Sequence, residues 1–518
     1  MRNLVVLAIL ALILAVPFAL RPKETLAKAD DVITIVTPHN EQIRHEFGKA
    51  FGEYYKGKTG RSIYIDWRMP GGTNEISRYI KSEYYAAFQR LWESSGKPWT
   101  TEVAASFDNS QGQSLARQEF LASDVGIGID IFFGGGAFEF FRQAEAGRIV
   151  DNGLLTSHPE WFAEESIPYS VSGEIFYDKE GRWIATALSS FGICYNSDSL
   201  RRLAISKPPA TWADLGDPRL FRQVLLADPT QSGSAAKAFE MIIQQQIQEM
   251  VRLAGGSEET CVKQGWASGL QIIQRASANA RYFTDAASQV PIDISLGEAA
   301  VGMCIDFYGR FQSQALQKSD TPSRLQYRTP AAGSSLGPDP IALFRGAPNP
   351  TAAKMFIEFV LSLEGQKLWH FKVGAPGGPR KYALRRQPVR KELYLPEHRA
   401  FRSDPEVDPY EEARLFSYDP KWTSPLFKAM SFIIRVMCLD SHHELTRAWK
   451  ALLNAGFPPQ ATATFENMDA VNYEAALKTI RPALTAPDRI EEVRLARELG
   501  ERFRAQYRAA EELAKSGK

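Results

Sequence analysis

Up to Phe344 the chain is organised by short apolar runs rich in β-branched residues, each ending in a polar or glycine-rich loop that opens a helix-periodic stretch. Val32-Ile33-Thr34-Ile35-Val36 leads through Thr37-Pro38-His39-Asn40 into a segment with Ile43, Phe47, Ala50 and Phe51 at helical spacing. Ser62-Ile63-Tyr64-Ile65-Asp66 follows, and a third run ends at Phe133, just before Gly134-Gly135-Gly136. Strand, loop, helix and strand in this rhythm predict a largely parallel sheet with helices on its faces, an α/β architecture. Residues 77–122 read as helices inserted between the second and third strands.

The same grammar continues downstream. Ile184 to Asn196 reads as a strand with small residues at its centre, and Val224-Leu225-Leu226-Ala227 as another. Asp228-Pro229-Thr230-Gln231-Ser232-Gly233-Ser234 then opens a long helix with Phe239, Ile243 and Ile247 on one face. Val301 to Tyr308 and Gly337 to Phe344 are later strands, and a helix with Ala353, Phe356 and Val360 on one side follows. Residues 395–518 differ in kind, being helical with proline breaks. Their run Phe432-Ile433-Ile434 with Val436 and Met437 has to be buried, and Ser441-His442-His443-Glu444 has the spacing of a capping box.

A chain of 518 residues has room for several domains or lobes at about 100–200 residues each. Its 44% hydrophobic and 23% charged content excludes disorder as the dominant state. A formal net charge of +1 gives no basic field for nucleic acid. Met1-Arg2-Asn3, the uncharged run Leu4 to Leu20 and Ala27-Lys28-Ala29 have the layout of a secretory signal, so residues 1–29 are expected to be removed and the remainder to act outside the cytoplasm. An uncleaved anchor is the alternative. Cys194, Cys261, Cys304 and Cys438 lack a Cys-x-x-Cys spacing, which argues against zinc and leaves disulfides and buried thiols both open.

The loops carry the candidate chemistry. At Ser232-Gly233-Ser234 the unsatisfied N–H groups of a helix start, two hydroxyls and a glycine can hold an anion, or the serines can simply cap the helix. Gly134, Gly135 and Gly136 allow close backbone approach to a ligand, or a tight turn. His39 and Asn40 lie at the carboxyl end of the first strand, where ligands gather in parallel sheets. Asp306 and Tyr308 end a later strand, and their oxygens suit a hard cation such as ferric iron. No Gly-x-Ser-x-Gly, His-Glu-x-x-His or Gly-x-Gly-x-x-Gly occurs, so sequence gives no support to catalysis.

Five segments together resemble the periplasmic solute-binding proteins of ABC importers, in the ferric-iron-binding group of the type II fold. They are Ile131 to Gly136, Ala187 to Asn196, Pro209-Ala210-Thr211-Trp212-Ala213-Asp214-Leu215, Leu226 to Ser234, and Ile305-Asp306-Phe307-Tyr308-Gly309. The resemblance covers residues 31–390 and implies a two-lobe type II periplasmic-binding-protein-like fold with a hinge and an added helical C-terminal extension. The implied layout is residues 30–187 as the first part of lobe 1, 188–335 as lobe 2, 336–394 as the return to lobe 1 and 395–518 as the extension. Ser232, Gly233, Ser234, Gly134, Gly135, Gly136, Ser189, Ser190, Asn40 and Asp306 would hold the anion, with Tyr308 and His39 as metal ligands.

In the iron binders adjacent tyrosines, a histidine and a carboxylate hold Fe3+. Here Phe307 precedes Tyr308, and glycines stand where the family has glutamate. The expected function is capture of ferric iron with a synergistic anion, or of a related anionic solute, for delivery to a membrane permease. No enzymatic cofactor is expected, and the protein is expected to be a monomer. A receptor for a phosphorylated sugar or phosphonate is the second reading, and a secreted hydrolase on a two-lobe frame the third.

Overall fold

The computed structural model describes residues 29–254, 256–317, 323–486 and 489–517. The segment read as a secretory signal lies outside the described residues, apart from its last position. Two sheets dominate. The first has seven strands, six of them in the order Gln387–Pro388, Trp183–Ser189, Gly337–Phe344, Ile131–Phe133, Asp31–Val36 and Ile63–Arg68, with Ile149–Val150 paired to Gly337–Phe344. Asp31–Val36 runs parallel to both Ile63–Arg68 and Ile131–Phe133, as the loop–helix rhythm predicts. Gly337–Phe344 returns antiparallel between Ile131–Phe133 and Trp183–Ser189.

The second sheet has five strands, in the order Ala280–Thr284, Val224–Ala227, Val301–Ile305, Phe191–Asn196 and Leu325–Arg328. The chain passes between the sheets twice. Ser190 separates Trp183–Ser189 from Phe191–Asn196, and residues 329–336 carry it back. Each sheet has helices against it and its own apolar cluster, so the protein is a two-lobe α/β molecule with paired crossings between the lobes.

Helices start and stop where local chemistry permits. Glu41–Thr59 is capped by Asn40, whose side chain accepts from the Ile43 N–H at 3.1 Å, and ends at Gly60 with φ 71°. In the second lobe the helices Gly233–Ala254 and Glu258–Ala278 pack at close range. A Cβ on Gly265 or Gly269 would lie 2.4 or 2.7 Å from the backbone of Ile247 or Ile243, so only glycine fits at that crossing.

Residues 395–413 lie against the first lobe, and from Phe416 onward the extension completes the second. Trp266, Leu270 and Ile273 of Glu258–Ala278 share one buried cluster with Met430, Ile433, Trp449, Phe465, Phe503 and Tyr507. Polar bonds fix the docking: Trp266 donates to the Val471 carbonyl at 2.9 Å, Gln274 to the Phe465 carbonyl at 2.8 Å, and Trp449 to Asn279 at 2.8 Å. The capping box expected at Ser441 is not formed. Its hydroxyl turns back to the Val436 carbonyl at 3.0 Å, following the π turn Arg435–Leu439. All four cysteines are buried free thiols. Among the described residues no helix is long and apolar enough to cross a membrane.

Candidate functional site

The lobes meet where the loops after the strands face each other. Asn74, at the start of the helix Thr73–Ser94, donates to the Thr230 carbonyl across the gap at 3.3 Å. Deeper in, the guanidinium of Arg386 from the first lobe lies 4.2 Å from the ring centre of Phe307 in the second. The cleft is therefore closed, with charged groups at its floor.

Arg386 is the centre of that floor and is 2% exposed. Its Nη1 sits 3.2 Å from His39 Nε2, its Nη2 donates to Ser189 Oγ at 2.9 Å, and it pairs with Asp339. Asp339 also accepts from the Gly135 N–H and lies 3.6 Å from His39 Nε2. Burial opposes the charge on Asp339, but Arg386 and His39 outweigh it and hold the carboxyl at about 2. For His39 burial wins, and its pKa is lowered despite Asp339. Its ring is fixed edge-on against Phe133, with centroids 4.5 Å apart. Two buried nitrogens of this cluster, Arg386 Nε and His39 Nδ1, find no hydrogen-bond partner among the described residues.

The glycine loop serves the protein's own side chains. Gly134 and Gly135 have φ of 90° and 108°, and a Cβ on them would come within 2.3 Å of His39 and 2.7 Å of Thr73. Their N–H groups are committed, Gly134 to the Pro340 carbonyl at 2.8 Å and Gly135 to Asp339. The expectation that these two donors face a ligand is corrected on that ground. Gly136 is the N-cap of the helix Ala137–Ala146.

Asn40 and Ser232 spend their side-chain oxygens on capping, Ser232 by accepting from the Ala235 N–H at 3.3 Å. Gly233 has open space where a Cβ would stand. Ser234 lines a recess of about 10 Å³ with Ala235 and Ile305, too small for more than a water. Ser189 faces Arg386, whereas Ser190 points the other way, 3.4 Å from both Tyr327 and Thr329.

Tyr308 is half-buried with its ring 4.2 Å from that of Phe307, and burial raises its pKa, away from the phenolate that iron would need. Asp306 is buried, 3.6 Å from Arg310, and its Oδ1 has no hydrogen-bond partner among the described residues. Among those residues no group of three histidine, cysteine or carboxylate side chains could hold a metal.

Burial raises the Asp306 carboxyl to about 6, although Arg310 pulls the other way. The folded state then holds this proton more tightly than the unfolded chain does. Stability falls as pH rises from about 4 to about 6, by up to about 3 kcal/mol from this group. Melting curves of Asp306→Asn across that range are expected to lose this part of the slope. An unchanged slope would rule the assignment out.

Sequence reasoning missed Arg386 and Asp339. For Asp339 a signal existed, a lone charge inside the apolar strand Gly337–Phe344, all of which is buried. Arg386 stands in Leu384-Arg385-Arg386-Gln387, which has no motif.

Two α/β lobes, paired crossings and a polar cleft floor define a receptor that closes on a solute. Residues 127–392 match the family model of bacterial extracellular solute-binding proteins, and the chain belongs to that family. It is a type II periplasmic solute-binding protein, the substrate-binding component of an ABC import system, and it delivers its solute to a membrane permease rather than transforming it. The hydrolase reading is thereby set aside.

An uncharacterized protein of Haemophilus influenzae is 26% identical over 308 residues, 58% of this chain and 77% of that protein. The phosphoglycerate transport regulatory protein PgtC of Salmonella typhimurium is 24% identical over 185 residues, 36% of this chain and 40% of PgtC's own length. Among solved structures, the periplasmic binding protein AfuA of Actinobacillus pleuropneumoniae with fructose-6-phosphate bound is 17% identical, with TM-score 0.42, covering 65% of this chain and 82% of AfuA. Iron-bound HitA of Pseudomonas aeruginosa is 15% identical, with TM-score 0.46, covering 78% and 99%.

Proposed function

We propose that the cleft captures a small phosphorylated organic anion and that ferric iron is not its cargo. The observation that carries this reading is Arg386. A guanidinium 3.2 Å from His39 Nε2 puts a fixed positive charge beside the atom that would ligate a metal, and the same charge attracts an anion. Asp339 holds Arg386 in place, Arg386 Nε and His39 Nδ1 remain to be used, and the start of the helix Gly233–Ala254 offers further N–H groups from the other lobe. PgtC, named for phosphoglycerate transport, points to the same class of solute.

In this reading residues 30–187 and 336–394 form one jaw and 188–335 the other. The protein works as a monomer, and export through residues 1–29 leaves a mature chain starting at Asp30. Amino-terminal sequencing of the exported protein tests the last point.

The ligand test is calorimetry with 3-phosphoglycerate, fructose 6-phosphate and ferric citrate. At least one phosphate ester is expected to bind, and Arg386→Gln to weaken it by about 1.5–3 kcal/mol, the worth of a charge-assisted hydrogen bond. Binding of ferric citrate with a visible charge-transfer band, and no binding of either ester, would reverse the reading.

A further inference from the structure

A separate cavity of about 350 Å³ lies beside the crossing segments, within the size range of small-molecule sites. None of His39, Ser189, Phe307 and Arg386 lines it. One wall is the return crossing around Thr329 and Leu336, and the opposite wall comes from Val407, Ala413 and Leu415 of the C-terminal extension.

Ser334 and Ser335 on the lining are hydrogen-bonded, whereas its other polar side chains are under-used. Arg310, with an 11% exposed side chain, stands over the Tyr327 ring at 5.4 Å. Its Nη1 makes no hydrogen bond among the described residues, and the nearest carboxylate oxygen, on Asp306, is 3.6 Å away. The hydroxyls of Ser190, Tyr327 and Thr329 touch one another only at 3.3–3.4 Å, long for O–H···O bonds. Glu412 is exposed on the lining, and Arg310 and Glu412 are its only charged side chains among the described residues. The lining thus presents one positive and one negative group, loosely bonded hydroxyls and apolar walls.

We propose that this cavity binds a small zwitterion of the amino-acid class, with its carboxylate on Arg310, its ammonium on Glu412 and its side chain against Leu336, Val407 and Leu415. A simple anion would match Arg310 but approach Glu412 unfavourably, and a simple amine the reverse. A molecule carrying both charges satisfies both groups.

The cavity shares none of the cleft-floor residues His39, Ser189, Phe307 and Arg386, and the proposal does not rest on what the cleft carries. Calorimetry of the full-length protein with L-serine, L-valine and L-leucine tests it, with propionate and ethylamine as single-charge controls. At least one amino acid is expected to bind, at least about tenfold more tightly than either control. Glu412→Gln, an exposed change that leaves the fold alone, is expected to weaken it about tenfold, and Arg310→Gln at least as much. A phosphate ester bound in the cleft should be indifferent to Glu412→Gln. No binding by any of the three amino acids, equal binding of propionate, or an unchanged affinity in Glu412→Gln would each overturn the proposal.

Discussion

Residues 30–394 expressed without the C-terminal extension are expected to give no cooperatively folded protein. Removal of the extension opens the buried faces of Trp266, Leu270 and Ile273, which otherwise pack against Met430, Ile433, Trp449 and Phe503. Each large apolar side chain brought into water costs about 1.5–3 kcal/mol. A handful of them equals the whole stability of an ordinary domain, about 5–15 kcal/mol. Specific bonds go as well. The Trp266 indole loses the Val471 carbonyl and Gln274 the Phe465 carbonyl, which leaves buried donors unmatched. Near-ultraviolet circular dichroism and scanning calorimetry of the truncated chain decide the matter. A single sharp transition within a few degrees of the full chain would show that the extension is a detachable module.

That fusion was only half legible in the sequence. The periodicity of Phe432, Ile433 and Val436 demands a partner surface, yet nothing in it says that the partner is the helix Glu258–Ala278. The strands were easier to read, because residues 32–36 are apolar but for Thr34, residues 224–227 are apolar throughout, and both runs are bounded by turn residues; both are strands in the fold. Loop chemistry was ambiguous for a physical reason. Asn and Ser oxygens that can greet a ligand can equally accept a backbone N–H, and at Asn40 and Ser232 they do the second. The charged floor was beyond reach, since His39 and Arg386 are 347 positions apart and meet only in the folded first lobe. A triple glycine fits a ligand-facing loop and a tight turn alike in sequence, and Gly134 is small because His39 stands over it.

Lys237→Met should destabilise the protein by about 3–5 kcal/mol, the usual cost of stranding a buried partner charge. Lys237 Nζ lies 2.8 Å from Glu174 and 2.9 Å from Glu240, whose side chains are 8% and 1% exposed, and 3.8 Å from the centre of the Tyr418 ring. Tyr418 donates to Glu240 at 2.9 Å, and Ser335 to Glu174 at 2.6 Å. Glu174 comes from a hairpin beside the first lobe, Lys237 and Glu240 from a helix of the second, Tyr418 from the extension and Ser335 from the return crossing. One ammonium therefore ties together four parts of the chain, and its loss leaves two carboxylates facing each other out of water. Burial opposes the charge on Lys237, but the two carboxylates prevail and raise its pKa well above the ordinary value. A raised lysine pKa gives stability that is complete below the unfolded value, near 10.5, and is lost as pH climbs through the folded one. Wild-type protein should thus lose stability in alkali by a step that Lys237→Met lacks. Adding Glu240→Gln to Lys237→Met should recover part of the loss, because one of the unpaired charges is then gone. Urea unfolding of the three proteins at neutral and alkaline pH measures all of this. A Lys237→Met protein within about 1 kcal/mol of wild type, the range of an exposed pair, would show that the ammonium is not the tie between the lobes.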